Sequence, residues 1–534
     1  MNDHLAIPIV SRCNSEKYTF PSLPFGRLGK NRYGDMQEYL NYPKINKSVP
    51  GTGVDGRKKL LLLHCEYLQK AGEDRVVEEE SALLEQHYHL LRFIRSNEEL
   101  LEMNRLTQLK KMIWNQALCN ELQQFLQQHE PDIIHVHNTF PLFSPAIFRV
   151  LGRWKKRLWK QGKQVKIVMT LHNFRLHCPQ ASLMRPLRRK GKVIGRKLCQ
   201  RCFAKGGLSK FPGLGFVSAL RSRCYRDSLS MTWAMVGMLS LHRRLRSWHD
   251  NVDIYIYLNS AQKTLLSRVG LPEEKFVYKP NFLAETIETQ AEEEVYTAET
   301  PELNNSFRLL FAGRLSEEKG IRILLSCMTK LRKEYGISRN IELHIAGDGP
   351  LRPELESFIE DYESAGWPTS GSSANAAGSS SLRMTREGHP QISIRYLGKL
   401  DKDALQNEMK WAHFLLLPSI WYEGMPMILL ESLAQGRPVL GFRLGANAEV
   451  LHHQENGILA PFFLDAQAER GLHLSRTYSP DGLVQNLTAA ITEANVINQE
   501  RYCQMCRAAR KSFETHYTAR KNLGILQTIY EDPV

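Results

Sequence analysis

The sequence predicts an α/β protein built from two doubly wound, Rossmann-like domains, and three observations carry that reading. Short apolar runs recur at Lys59–Cys65, Phe307–Ala312 and Leu415–Leu417, each short enough to be a strand buried on both faces. Each is followed by a Gly-bearing turn or loop and then by a segment with helical character, the local order of a doubly wound sheet. The chain of 534 residues is long enough for two or three domains, and the acidic run Glu285–Glu302 between the first and second of these apolar runs reads as a linker.

Composition narrows the class. Hydrophobic residues make up 42 %, ordinary for a globular protein. No apolar run approaches the ~20 residues a membrane-spanning helix needs. The N-terminus lacks the basic start and apolar middle of a signal peptide, so a cytoplasmic location is expected. Ten Cys scattered through such a chain argue against a disulfide framework. The net charge of +15 is uneven: residues 151–250 hold 24 Lys and Arg against 2 Asp and Glu, a net of +22, which leaves −7 elsewhere. Such asymmetry points to an anionic partner.

The most informative stretch is Leu415–Val439. The apolar run reads as a buried strand, a loop holds Trp421 to Gly424, and Pro426 suits the start of a helix that Gly436 terminates. This order sets Glu423, the segment Met425-Pro426-Met427 and the first helical N–H groups at the carboxyl edge of a parallel sheet, where ligands bind and where anions are attracted. Glu423 and Glu431 both face that crevice. Carboxylates beside a phosphate site need hydroxyls to accept from, and a nucleotide sugar supplies them; two unrelated surface Glu are the alternative.

Taken in order, residues 1–56 are polar, rich in Pro and Gly, and read as a poorly ordered extension. The first domain is expected over 57–284. It opens with the strand Lys59–Cys65, the turn at Gly72-Glu73 and a helix from Arg75 to Gln86; the turn is either a ligand loop or a plain connection. Helices are expected near Asn97–Leu109 and Lys111–Gln128. Two strands then end in matching polar pairs, His137-Asn138 and His172-Asn173, which suggests a shared crevice.

A basic insertion over 174–250 interrupts the plan. It contains Cys178, Cys199, Cys202 and Cys224, in which the C-x-x-C pair suits two ligands of a structural Zn²⁺ and the outer Cys supply the rest, with His177 able to replace one; buried thiols without metal are the alternative. Leu229–Trp248 is an apolar helix with a cationic end, either a core helix or one lying on an anionic membrane surface. The segment has no recognisable nucleic-acid module, so nucleic acid is not the expected partner.

After the linker (285–305), the second domain is expected over 306–510. Its first strand delivers Gly313-Arg314 to the carboxyl edge, with Lys319 at the next helix start. Arg forks onto phosphate oxygens and Lys acts as a point charge. Residues 366–390, rich in Ser and Gly, read as a disordered insertion. Asp401-Lys-Asp403 looks like a metal-binding Asp-x-Asp, but its place at a helix start favours capping. A last helix within 511–534 is expected to cross back to the first domain.

The string from Pro418-Ser419 through Glu423 and Glu431 to Ala434-x-Gly-x-Pro-Val439 resembles the Glu–seven residues–Glu signature of the family-four retaining glycosyltransferases, which have the GT-B fold. Gly313-Arg-Leu with Glu318-Lys-Gly320, and Thr170-x-His172, match further motifs of that family. Gly72-Glu-Asp-Arg-Val76 resembles a subgroup working in surface-polysaccharide assembly.

The resemblance implies two Rossmann-like domains facing across a cleft, and sugar transfer from a nucleoside diphosphate to a hydroxyl, the acceptor being a saccharide or lipid-linked saccharide. Glu423 would hold the donor sugar with Gly424, and Glu431 the ribose. Arg314 and Lys319 would stabilise the diphosphate, Lys399-Leu400 would lie against the base, and His172 would meet the reacting sugar. No cofactor is required on this reading. A GT-B epimerase, a catalytically silent scaffold and a basic nucleic-acid binder are the competing classes.

Overall fold

The computed structural model describes residues 56–68, 72–189, 192–199, 202, 216–268, 270–284, 301–304, 306–333, 337–364, 391–462 and 479–532. The expected N-terminal extension, most of the acidic linker and the Ser- and Gly-rich insertion lie outside them.

The first half builds a six-stranded parallel sheet from β1 (Lys59–Glu66), β2 (His89–Ser96), β3 (Ile133–Val136), β4 (Lys166–Leu171), β7 (Ile254–Tyr257) and β8 (Phe276–Tyr278), in the order β2-β1-β3-β4-β7-β8. Leu60 to Leu63 of β1 are fully buried, as expected of a central strand with both faces covered. The covering helices are α1 (Gly72–Glu85), α2 (Arg105–Ile113), α3 (Gln116–His129), α4 (Ala146–Lys160), α5 (Val217–Ser222), α6 (Leu229–Arg244) and α7 (Ser260–Ser267). An antiparallel hairpin of β5 (Met184–Arg189) and β6 (Lys192–Leu198) stands apart from the sheet.

The second half repeats the plan. Strands β9 (Ser306–Ala312), β10 (Asn340–Ala346), β11 (Ile392–Gly398), β12 (Phe414–Leu417), β13 (Val439–Phe442) and β14 (Gly457–Ala460) are parallel, in the order β11-β10-β9-β12-β13-β14. Helices α8 (Ile321–Lys333), α9 (Arg352–Ser364), α10 (Lys402–Trp411), α11 (Met427–Ala434), α12 (Asn447–Val450), α13 (Pro480–Asn495) and α14 (Gln499–His516) accompany them. The order reverses direction between β9 and β12, the switch point at which an open α/β sheet leaves a crevice at its carboxyl edge. The last helix, α15 (Ala519–Glu531), packs on the first sheet: Tyr530 Oη lies 2.7 Å from His135 Nδ1, and Lys166 Nζ donates to the Ile529 carbonyl at 2.9 Å.

Three local expectations are revised. Strand β2 occupies a stretch given no element, and only Phe93 of it is buried; an edge strand with so little apolar face carries a weak period-two signal. The two long helices expected over 97–128 are α2 and α3, displaced toward the C-terminus and capped by Asn104 and Asn115. Helix α6 is a core helix along most of its length, with Met235, Met238, Leu239 and His242 buried; Trp248 is 5 % exposed, so it is not an interfacial anchor, and Arg243 turns inward. Asp401 caps α10, its carboxylate accepting from the Ala404 N–H at 2.8 Å. Among the described residues no helix is long and apolar enough to cross a membrane.

Candidate active site

The end of β9 and the end of β12 meet through a glycine. A 3-10 turn over Glu317–Lys319 closes on Gly320 at φ 76°, and a Cβ there would lie 1.8 Å from the Pro418 carbonyl oxygen. Only glycine permits that approach. It sets Lys319 against the loop after β12, where its Nζ lies 2.8 Å from both carboxylate oxygens of Glu423. Ser419 Oγ donates to the same carboxylate, which is 8 % exposed. Gly313-Arg314 follows β9 directly. Arg314 is exposed, and its guanidinium has no hydrogen-bonded or ionic partner among the described residues. One cation is thus tied to a carboxylate, and a second stands open beside it.

Loop 423–425 is gripped by the first domain. Asn259 Nδ2 donates to the carbonyls of Glu423 (2.8 Å) and Gly424 (2.6 Å), and Asn281 Nδ2 donates to that of Met425 at 2.8 Å. A Cβ on Gly424 would sit 3.0 Å from both the His172 carbonyl oxygen and Leu258 Cδ1, so the two domains touch where a side chain would part them. The Met425 and Met427 side chains are buried in an apolar cluster with Val76 and Leu258 of the first domain, which leaves their backbone as the part that can face a ligand. Pro426 is the N-cap of α11. Glu431, within α11, is ion-paired with Arg75 of α1. Lys399 is exposed beyond β11, and Leu400 packs on the same apolar cluster as Met425.

The opposite wall is a cavity of about 40 Å³ lined by Glu73, His137, Asn138, His172, Asn173 and Arg175 among others. It brings together the polar pairs that end β3 and β4 and the start of α1. The Glu73 carboxylate accepts from Asn173 Nδ2 (3.0 Å) and from the Tyr67 hydroxyl (2.8 Å). Burial raises its pKa above the usual carboxylate range against those two hydrogen bonds. Asn138 lines the cavity, but its amide nitrogen donates to the Cys65 carbonyl at 2.7 Å and so ties β3 to β1. Gly72 has only Met427 Cγ near the position of a Cβ, at 4.0 Å, so its turn does not require glycine for close approach.

His172 is held from behind. Its Nε2 lies 3.0 Å from His137 Nδ1, and His137 Nε2 lies 3.4 Å from Glu80 Oε1. Glu80 is fully buried, 3.1 Å from His135 Nδ1 and ion-paired with the equally buried Lys279 at 2.8 Å. Burial pushes His137 down to about 3, with His135 adding to it, and holds His172 well below the ordinary imidazole range. Burial works to raise the Glu80 pKa, but Lys279, His135 and His137 overcome it and hold the carboxyl low. An ionised Glu80, salt-bridged to Lys279, thus stands behind the neutral imidazoles of His137 and His172. Glu80, His135 and His137 have ligand atoms within 4.8 Å of one another, but Lys279 already supplies the positive charge there.

Sequence reasoning missed Arg75, Glu80, Asn259, Lys279 and Asn281. Asn259 is also the N-cap of α7, so a capping signal was present, though nothing local showed where its amide would point.

The profile of the group 1 glycosyl transferases matches residues 306–474, the span from β9 through β14. Among curated proteins, this chain is 29 % identical over 154 residues to an uncharacterized glycosyltransferase of Methanocaldococcus jannaschii, covering 28 % of this chain and 30 % of that one. It is 24 % identical over 293 residues to the alpha-D-kanosaminyltransferase of Streptomyces kanamyceticus, covering 53 % and 68 %. It is 24 % identical over 235 residues to the amylovoran biosynthesis glycosyltransferase AmsK of Erwinia amylovora, covering 43 % and 46 %. The chain thus spans less than half the length of two of these relatives. Its fold is like that of the lipopolysaccharide outer core galactosyltransferase WaaB, with a TM-score of 0.50, 14 % identity and coverage of 88 % of this chain and 99 % of that one. The two facing parallel-sheet domains are those of a GT-B fold.

Proposed function

We propose that this protein transfers a sugar from a nucleoside-diphosphate donor to a hydroxyl acceptor, with retention at the anomeric carbon. The observation that carries the reading is the Lys319–Glu423 pair beside the open Arg314 at the switch point of the second sheet, facing the His172 cavity of the first. The bond from the anomeric carbon to the diphosphate breaks with its electrons on the leaving oxygen. Arg314 and Lys319 offset that charge as it develops, the form of stabilisation worth most in a water-poor cleft. The acceptor oxygen bonds to the same face, and its proton goes to the departing phosphate. On this reading Glu423 exchanges Lys319 for donor-sugar hydroxyls, Glu431 takes the ribose, and Lys399-Leu400 lie by the base. His172 contacts the reacting sugar, and Glu73 and Asn173 receive the acceptor hydroxyl. The charge of the leaving group is met by side chains, so no divalent metal is assigned a role.

The acceptor proposed is a saccharide, carried on a lipid, in surface-polysaccharide assembly at the cytoplasmic membrane face. Support comes from the AmsK relative, whose name is that of an amylovoran biosynthesis enzyme. It comes also from the charge of residues 151–250 and from exposed apolar side chains: Trp233 of α6 is 66 % exposed, and Leu106 of α2, the helix packed on α6, is 72 % exposed. The test is a thermal-shift screen of nucleotide sugars, followed by incubation of the stabilising donor with lipid-linked saccharides and NMR assignment of the product's anomeric configuration. Donor-dependent product of retained configuration is expected. A donor converted to an altered free nucleotide sugar, or an inverted product, would overturn the reading.

A further inference from the structure

The basic insertion gathers four thiols that the proposed reaction does not use. Cys178 lies in a tightly wound loop after β4: its N–H donates to the Phe174 carbonyl at 2.7 Å, its carbonyl accepts from the Ala181 N–H at 2.9 Å, and Ala181 and Leu183 both have positive φ. Cys199 ends β6, and its N–H donates to the Leu183 carbonyl at 2.6 Å. The Cys202 carbonyl meets His177 Nε2. Cys224 follows α5, and Arg196 of β6 is ion-paired at 2.9 Å with Asp227 just beyond it. Four separate pieces of chain are thereby pinned around one point. Cys178 and Cys224 are buried in one apolar cluster, and Cys202 packs against it.

The charge around the cluster is the second observation. Arg243 reaches it from α6, with Nη2 donating to the Leu176 carbonyl (3.0 Å) and contacting His177 Nδ1, while Nη1 is buried without a hydrogen-bond partner. Arg175 acts on Cys178, and Arg185 and Arg196 act on Cys224. Four neutral thiols offer Arg243 no counter-charge, and a buried cationic N–H without one is costly. Four thiolates on one Zn²⁺ carry a net charge of −2, which is what the surrounding arginines call for.

We propose that Cys178, Cys199, Cys202 and Cys224 bind one structural zinc ion as a tetrathiolate, with Arg243, whose Nη1 is buried, as its counter-charge. Binding releases four thiol protons and involves no redox step. No three of the sulfurs here lie all within 4.8 Å of one another, so the ion draws them in to bonds of about 2.3 Å. The consequence reaches the donor site. The β5–β6 hairpin that the metal fixes rests on the second domain, where the Arg196 N–H donates to Glu317 Oε1 at 2.7 Å, two residues before Lys319.

The test uses the full chain purified without chelator. Elemental analysis is expected to find about one zinc per chain, and titration with a mercurial thiol reagent should release it to a metal-sensitive dye. The Cys199→Ser, Cys202→Ser double variant should lose it. Because that variant could fail to fold, wild type exchanged with Co²⁺ supplies an independent reading: the sulfur-to-cobalt charge-transfer bands of a tetrathiolate are expected. Wild type that holds no zinc after incubation with Zn²⁺, shows no such bands with Co²⁺, or keeps its zinc in the double variant would overturn the proposal.

Discussion

Arg75 of the first domain and Glu431 of the second form an ion pair across the cleft. If Glu431 takes the donor ribose, the nucleotide must displace Arg75. A partly exposed pair is worth about 0.5–1 kcal/mol. Arg75→Gln is therefore expected to tighten binding of a nucleoside diphosphate by roughly two- to fivefold, read by isothermal titration calorimetry. Weaker binding in the variant would show instead that Arg75 itself contacts the donor.

The open and the paired cation should both matter to the chemical step. Arg314→Ala and Lys319→Ala are each expected to lower kcat by about 100- to 1000-fold, the loss typical of one transition-state contact, with thermal melting little changed for the exposed Arg314. Glu423→Gln should lower it comparably while leaving Lys319 unpaired. Near-normal turnover in the Arg314→Ala, Lys319→Ala double variant would refute the assigned roles.

Gly424 controls how closely the domains meet. A side chain larger than a Cβ would press on the His172 carbonyl oxygen and Leu258, both already 3.0 Å from the Cβ position. Gly424→Val is expected to hold the cleft open, raising the radius of gyration in solution scattering and lowering kcat/KM by at least about tenfold, or about 1.4 kcal/mol. An unchanged scattering profile with full activity would rule this out.

The buried imidazoles make stability fall with acid. A histidine whose folded pKa is depressed binds fewer protons folded than unfolded, so its contribution is fully present above the unfolded pKa of about 6.5 and is lost as pH falls toward the folded value. For His137, pushed down to about 3, that window runs from about 6.5 to about 3. Going from pH 7 to pH 5 should cost about 2 kcal/mol from this residue, and His172 and Glu80, both shifted low, act in the same direction. Glu73, shifted up, opposes them. Urea midpoints at the two pH values should therefore differ less in His137→Asn than in wild type. Equal differences would show that His137 does not carry the effect.

Membrane attachment should follow the exposed apolar and basic surface of the first domain. Wild type is expected to float with anionic liposomes at low salt and to release partly at high salt, as screening shortens the Debye length below about 8–10 Å. Trp233→Glu should weaken the salt-resistant part. Changing Arg244 and Arg246, which lie beyond the buried face of α6, to Glu should weaken the salt-sensitive part. Wild type indifferent to anionic liposomes at low salt would remove the membrane from the proposed function.

The parts of the fold that were legible in the sequence are those whose signal is local. Strands β1, β9 and β12 are continuous apolar runs because each is buried on both faces, and Gly320, Pro426 and Gly436 mark turns and helix ends by the backbone conformations they alone favour or tolerate. The polar pairs after β3 and β4 pointed correctly to one cavity, because parallel strands end at a common edge. Strand β2 was not legible, since an edge strand with one buried side chain lacks the apolar alternation that reveals a strand. The β5–β6 hairpin lies in a run of basic residues whose pairing depends on Glu317 and Asp227 from elsewhere. Residues far apart in the chain were beyond local reading altogether: Arg75 meets Glu431, Asn259 holds the loop of Glu423, and Lys279 neutralises Glu80 only after the two domains have packed. The sequence determined which residue types stand at the edges of the two sheets, because strand length and turn chemistry are local. The tertiary structure alone decided which of those charges meet a partner and which stay open, because a buried charge is stable only where packing brings its counter-charge to it.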